Sequence, residues 1–301
     1  MKIRANGIEI EVEDSAQSDA SFASKPVVLL IMGLGMQLIA WPPQMVQALE
    51  DAGYRVVRFD NRDVGLSTHF DFMGRPKMLW SMIKFRLGLV PQAPYMLSDM
   101  SADTLGVLDA LKIDKAHVVG VSMGGMIAQR VAIAAPARTL SLTSIMSTSG
   151  ARGLPQAKPE IMRALLSRPS DSSREAVLKH SVGLFKAIGS PAYPTPEAEM
   201  RTRVAASLER SFHPVGTLRQ MLAIVADITR AAQLSRITSP TLVIHGKADP
   251  LVPYPCGEDT AQRIPGAKLI GIEGMGHDLP PEPVRQILQA LLPHFQAAST
   301  H

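Results

Sequence analysis

Three residues, far apart in the chain, have the types and the order needed to make a nucleophile out of a hydroxyl. Ser122 stands in Gly120-Val121-Ser122-Met123-Gly124, Asp249 in His245-Gly246-Lys247-Ala248-Asp249-Pro250, and His277 in Gly274-Met275-Gly276-His277-Asp278. A serine hydroxyl is a weak nucleophile. It needs a base to take its proton, and the base needs an acid to hold its tautomer. Serine, then acid, then histidine is one of the chain orders in which that set recurs. Each residue also has a plainer explanation. The pentapeptide is common by chance, Asp-Pro favours turns, and His277 could be an ordinary loop histidine. Asp278 is a rival acid, but a side chain adjacent in sequence to the base is badly placed to reach its Nδ1. His245, at the end of an apolar run, reads as buried support. His69, His117, His180, His213, His294 and His301 fit no part of the pattern.

Acyl transfer passes through an oxyanion that needs two pre-aimed donors. The backbone N–H of Met123, just after the nucleophile, is one expected donor. The second is expected from Met32-Gly33-Leu34-Gly35, with Leu34 the assigned residue. These glycines lack the spacing and the acidic partner of a dinucleotide-binding loop.

Elements of defined kind must carry these residues. Residues 26–32 (PVVLLIM) and 116–121 (AHVVGV) are continuous apolar runs, as expected of strands buried on both faces. Further strands are expected over 54–59, 139–147, 240–245 and 267–273, and residues 3–12 alternate in polarity like an edge strand or hairpin. Helical spacing covers 43–52, 98–111, 123–135, a stretch from about 256, and 281–297. Alternating strands and helices imply an α/β fold with a mainly parallel sheet covered on both sides. Ser122, Asp249 and His277 each follow a strand, so all three sit at carboxyl ends of one sheet, where they can converge. That convergence carries more weight than the pentapeptide.

From 151 to 227 prolines punctuate helical segments, with no convincing strand among them. The chain therefore divides into a core, 1–150 with 228–301, and a helical cap, 151–227, set over the strands' carboxyl ends, where open α/β sheets bind ligands. A second insertion, 70–97, is rich in Met73, Met78, Leu79, Trp80, Met82, Phe85 and Leu87. These side chains are expected to pack against the cap or wall an apolar pocket; the alternative is a surface that presses transiently on a membrane.

Composition narrows the function further. At 46% hydrophobic and 19% charged residues the chain suits a globular enzyme and not a disordered one. Its net charge of +4 is scattered and forms no nucleic-acid footprint. Cys256 is the only cysteine, so no internal disulfide can form, and it reads as a small packing residue. No apolar run is long enough to span a bilayer and no signal-peptide core is visible, which makes the cytoplasm the expected compartment and stable membrane insertion unexpected.

Four stretches, MGLG, FDNRDVGLST, GVSMGGMIAQ and HGKADPLVP…GMGHD, make the chain resemble the α/β-hydrolase superfamily over nearly its whole length. Within it the chain is similar to bacterial carboxylesterases of the aclacinomycin methylesterase type. The resemblance implies a triad of Ser122, Asp249 and His277, no cofactor, and a helical cap that sets the substrate. Met32 stands where the family usually begins its His-Gly motif, which alters the loop without removing its amides. Relatives that attack with aspartate, the epoxide hydrolases and haloalkane dehalogenases, are disfavoured by Ser122. Asp60, Arg62 and Asp63 are expected to be structural.

The expected function is hydrolysis of a small-to-medium hydrophobic ester through an acyl-enzyme, with a small-molecule substrate and an oligomeric state left open. The same triad would also serve a cofactor-free perhydrolase, a thioesterase or a C–C bond hydrolase. A non-catalytic receptor on this fold would more readily have lost a triad member. A surface-active lipase would need 70–97 to be an exposed apolar patch.

Overall fold

The computed structural model describes residues 1–86 and 89–299, the side chains of Leu79, Met82, Phe85 and Arg86 excepted. Strands β1 (Lys2–Ala5) and β2 (Ile8–Asp14) form an antiparallel hairpin, closed off by the single turn α1 (Ser15–Ser18). Alternation begins with β3 (Val27–Ile31), α2 (Pro43–Asp51), β4 (Arg55–Phe59), α3 (Met78–Arg86) and α4 (Leu97–Ala110). It continues with β5 (Ala116–Val121), α5 (Met123–Ala134) and β6 (Thr139–Ile145). Only helices follow until the next strand: α6 (Pro159–Leu166), α7 (Arg174–Ile188), α8 (Glu197–Arg210), α9 (Pro214–Ala226) and α10 (Arg230–Gln233). The chain then returns to the sheet as β7 (Thr241–Gly246), α11 (Pro255–Arg263), β8 (Lys268–Ile272) and α12 (Pro281–Ser299).

The strands make one eight-stranded sheet in the order β1-β2-β4-β3-β5-β6-β7-β8, antiparallel at its first two pairings and parallel from β4 onward. The apolar runs explain why these segments sit in its middle. β3, β5 and β7 are buried at every position. Because side chains alternate between faces, Leu29 and Ile31 join a core with Val118, Met126 and Val131 under α4 and α5. Val28 and Leu30 join Val119, Met45 and Leu291 under α2 and α12. Two cores, one on each face, hold the carboxyl ends of β3, β5, β7 and β8 along one rim.

The apolar insertion meets its expected packing only in part. α3 rests on α9 with Ser81 buried, yet Phe72 and Trp80 point outward, 79% and 64% exposed. Ser81, Lys84 and Arg86 interrupt the apolar residues of α3 without gathering on one side, so its sequence carries no stripe to say which side a neighbour would cover. Leu87, and the side chains of Leu79, Met82 and Phe85, fall outside the described residues. Among the described residues no helix is long and apolar enough to cross a membrane.

Candidate active site

Ser122 caps β5 and starts α5 in a turn that no ordinary residue favours, with φ 56° and ψ −119°. The cost of such a backbone is borne by the elements on both sides. Gly120 and Gly124 are required by close approach: a Cβ on Gly120 would lie 2.0 Å from the Gly124 carbonyl oxygen, and one on Gly124 would lie 2.0 Å from that of Ile31. The serine's own backbone is tied down, its N–H donating to Ile145 O (2.9 Å) and its carbonyl accepting from Ser147 Oγ (2.7 Å).

The loop after β7 brings Asp249 beside the loop after β8, which carries His277. His277 Nε2 lies 2.9 Å from Ser122 Oγ, and His277 Nδ1 lies 2.7 Å from Asp249 Oδ2. The other carboxylate oxygen, Oδ1, accepts the N–H groups of Leu251 (2.9 Å) and Val252 (2.8 Å). With its side chain fully buried, Asp249 thus has both oxygens engaged and one rotamer to occupy. The three residues read from sequence come together in one hydrogen-bonded line, Ser122 at its partly open end.

The rejected alternatives are accounted for by what they touch. Asp278 turns away from the His277 ring: its Oδ1 pairs with Ser190 Oγ, and burial raises its pKa. His245 is wholly buried behind Asp249, 3.7 Å from Oδ2, with Nε2 2.8 Å from Val252 O. Burial lowers its pKa, which keeps it neutral. Cys256 is buried in α11, and burial pushes its thiol up, away from the reactive thiolate.

The loop after β3 passes directly against the serine, since a Cβ on Gly33 would meet Ser122 Cβ at 3.2 Å. In that loop the Gly35 N–H donates to Gln220 Oε1 (2.9 Å) and the Met36 N–H to Gly33 O (3.2 Å). The Leu34 and Met123 amides have no such acceptor among the described residues, which leaves both available for an oxyanion. Four side chains hold the loop in place. Asn61 Nδ2 donates to Met32 O (3.0 Å), Asp60 Oδ1 accepts from Leu38 N (2.7 Å), Gln220 takes Gly35, and Gln37 Nε2 reaches Ser207 O (2.7 Å) on α8.

Sequence reading missed Gln220 and Gln37, and it missed Ser190, whose Oγ accepts the Gly276 N–H (2.8 Å) while His277 N donates to Ile188 O (2.8 Å). These are isolated polar residues whose partners lie far along the chain, so no local pattern marks them. His69, Asp71 and His213 also gather within ligand distance of one another. Their two rings stack face to face at 3.9 Å with planes 5° apart. Imidazole lone pairs lie in the ring plane, so this stacking aims them past any shared ion. Asp71 Oδ1 is held instead by His213 Nε2 (2.7 Å) and Arg219 (3.2 Å).

Comparison with known proteins fits this geometry. A family model described as the α/β hydrolase fold matches residues 26–283. A rhodomycin D methylesterase of Streptomyces peucetius is 31% identical over 294 residues, covering 90% of this chain and 91% of the relative. Among solved structures, a meta-cleavage product hydrolase from Pseudomonas fluorescens IP01 superposes with a TM-score of 0.74 at 20% identity, covering 99% of this chain and 98% of that one. An enol-lactonase from Burkholderia xenovorans LB400 gives 0.71 at 20% identity, covering 98% and 100%.

Proposed function

The chain belongs to the α/β-hydrolase family, and from that premise we propose that it is a serine-dependent carboxylic ester hydrolase working through an acyl-enzyme. The observation that carries the reading is the unbroken line from Asp249 through His277 to Ser122, at 2.7 and 2.9 Å. His277 Nε2 takes the Ser122 proton as Oγ attacks the ester carbonyl, and the amides of Leu34 and Met123 receive the oxyanion. The imidazolium then protonates the leaving alkoxide. Water, deprotonated by the same nitrogen, cleaves the acyl-enzyme and frees the acid and Ser122. Asp249 holds the imidazole with its proton on Nδ1 and offsets the charge that forms on it. No step calls for a metal or cofactor.

The helices between β6 and β7 act as the cap that shapes the substrate pocket, and a small-to-medium hydrophobic ester suits the methylesterase relative. Ser122→Ala is the test. Turnover of an aryl ester should fall by at least about 10⁴-fold, with the thermal unfolding midpoint unchanged and labelling by a fluorophosphonate abolished. Unaltered turnover in that variant would end the proposal. Parallel assays with acyl thioesters, and with peroxide present, separate ester hydrolysis from thioester hydrolysis and perhydrolysis at the same serine.

A further inference from the structure

The chain from Phe72 to Ser98 contains no acidic residue, although Arg75, Lys77, Lys84 and Arg86 lie within it among many apolar ones. Of the eleven large apolar residues exposed on the described surface, six belong to this one segment: Phe72, Met73, Trp80, Ile83, Leu89 and Val90. The rest are scattered. Lys77 and Lys84, both exposed, have no carboxylate partner among the described residues. Both lysines line a cleft of about 650 Å³ whose other walls include Met73, Trp80 and Leu222. Outward Trp, Phe, Leu and Val side chains are unfavourable toward water, and with ammonium groups set among them they match one kind of neighbour. That neighbour is apolar in depth and anionic at its rim.

We propose that the face carrying Phe72, Lys77, Trp80, Lys84, Leu89 and Val90 docks on an anionic phospholipid surface. Phe72, Trp80, Leu89 and Val90 enter the headgroup–acyl boundary, while Lys77 and Lys84 pair with lipid phosphates. The contact is peripheral. α3 is too short to span a bilayer, and Arg219 on α9, through its bond to Gly74 O (2.9 Å), fixes the segment to the folded body. The inference stands apart from the catalytic reading, since none of these side chains belongs to the triad or the oxyanion loop.

The two tryptophans supply the probe. Trp41 is fully buried, so a change in emission on adding vesicles reports Trp80. Vesicles of phosphatidylcholine containing one third phosphatidylglycerol should shift the emission to the blue and sediment the protein; pure phosphatidylcholine should do neither. Trp80→Phe should keep sedimentation and lose the shift. The pair Lys77→Glu and Lys84→Glu should weaken sedimentation by about thirtyfold or more, from roughly a fivefold loss per basic residue removed. Phe72→Ser with Leu89→Ser should weaken it comparably. All of these variants should keep the aryl-ester turnover of the parent. Equal binding to neutral vesicles, no binding to either, or a blue shift that grows with protein concentration in the absence of lipid would overturn the proposal, the last by showing a second copy on this face.

Discussion

Replacing Asp249 by Asn probes the triad without removing an atom's worth of volume. Oδ1 can go on accepting from Leu251 and Val252 (2.9 and 2.8 Å), so the loop keeps its shape. The new amide group then stands where Oδ2 lay, 2.7 Å from His277 Nδ1. An amide NH₂ can only donate there, so Nδ1 must accept, and the ring proton moves to Nε2. That nitrogen faces Ser122 Oγ at 2.9 Å and, once protonated, cannot take the serine's proton. kcat should fall by about 10⁴-fold, the size such a tautomer change has in serine-protease triads, or about 5.5 kcal/mol in activation free energy. His245 offers no rescue, since its Nε2 is bonded to Val252 O (2.8 Å) and lies 3.7 Å from Asp249 Oδ2, with no hydrogen bond to Ser122. KM and the thermal midpoint should move little, because substrate contacts and packing are unchanged. Steady-state kinetics on an aryl ester provide the measurement, with Asp278→Asn as the companion. The Asp278 carboxylate bonds Ser190 rather than the ring, so that variant should stay within a few fold of the parent. Retention of more than a tenth of kcat by Asp249→Asn, or a deeper loss for Asp278→Asn, would refute the assignment.

Gln220→Leu removes the acceptor of the Gly35 amide and the donor to Arg62 O (2.7 Å); kcat should drop between about tenfold and a hundredfold with KM nearly constant, as expected when an oxyanion loop loses its aim. Gln220→Glu, which keeps the acceptor, should recover part of it. His117 is buried against Phe295, and burial lowers its pKa from 6.5 to about 4. The unfolded chain protonates this ring below 6.5 while the folded one resists, so its contribution to stability is present above 6.5 and is lost as pH falls toward 4. Urea unfolding should show a cost of about 2 kcal/mol from this group between pH 7 and pH 5, and His117→Gln should flatten the acid limb by that amount.

Much of the fold and the three residues of the candidate site were legible because their signals are local or ordered along the chain. Continuous apolar runs mark β3, β5 and β7, and glycines on both sides of Ser122 mark the turn that presents it. The order of Asp249 and His277 behind later strands then restricts the partners to a few. The support around them was not legible. Gln220 meets Gly35 across 185 positions, Ser190 meets Gly276 across 86, and each is a single polar residue on a helix or loop with nothing nearby to betray it. The 70–97 segment was legible only in part, for a different reason. Its apolar content suggested packing, but whether such a surface is covered depends on how α3 lies on α9, and a helix whose apolar residues form no stripe encodes no preferred side.

The charged turn after β4, Asp60-Asn61-Arg62-Asp63, shows why sequence could name a structural motif without saying what it holds. Buried charges persist only when paired and fully hydrogen-bonded, and here each polar side chain finds its partner in a different layer. Asp60 takes the Leu38 amide of the oxyanion loop and Arg210 of α8 (2.7 Å each). Asn61 holds Met32 at the start of that loop. Arg62 pairs with Asp103 on α4 (2.6 Å), and Asp63 takes Arg219 of α9 (2.7 Å) and Tyr95 (2.8 Å). The loop after β3, proposed to hold the oxyanion, is therefore not positioned by the sheet alone. It is clamped between this turn and the helices inserted after β6, with Gln220 and Gln37 closing the second side. Lifting α8 and α9 as a rigid body would release Gly35 and Gln37 together with the ion pairs, and the loop would lose its aim at Ser122. On the proposed assignment of the Leu34 and Met123 amides, an oxyanion is held only with those helices seated, so turnover should require the insertion in place.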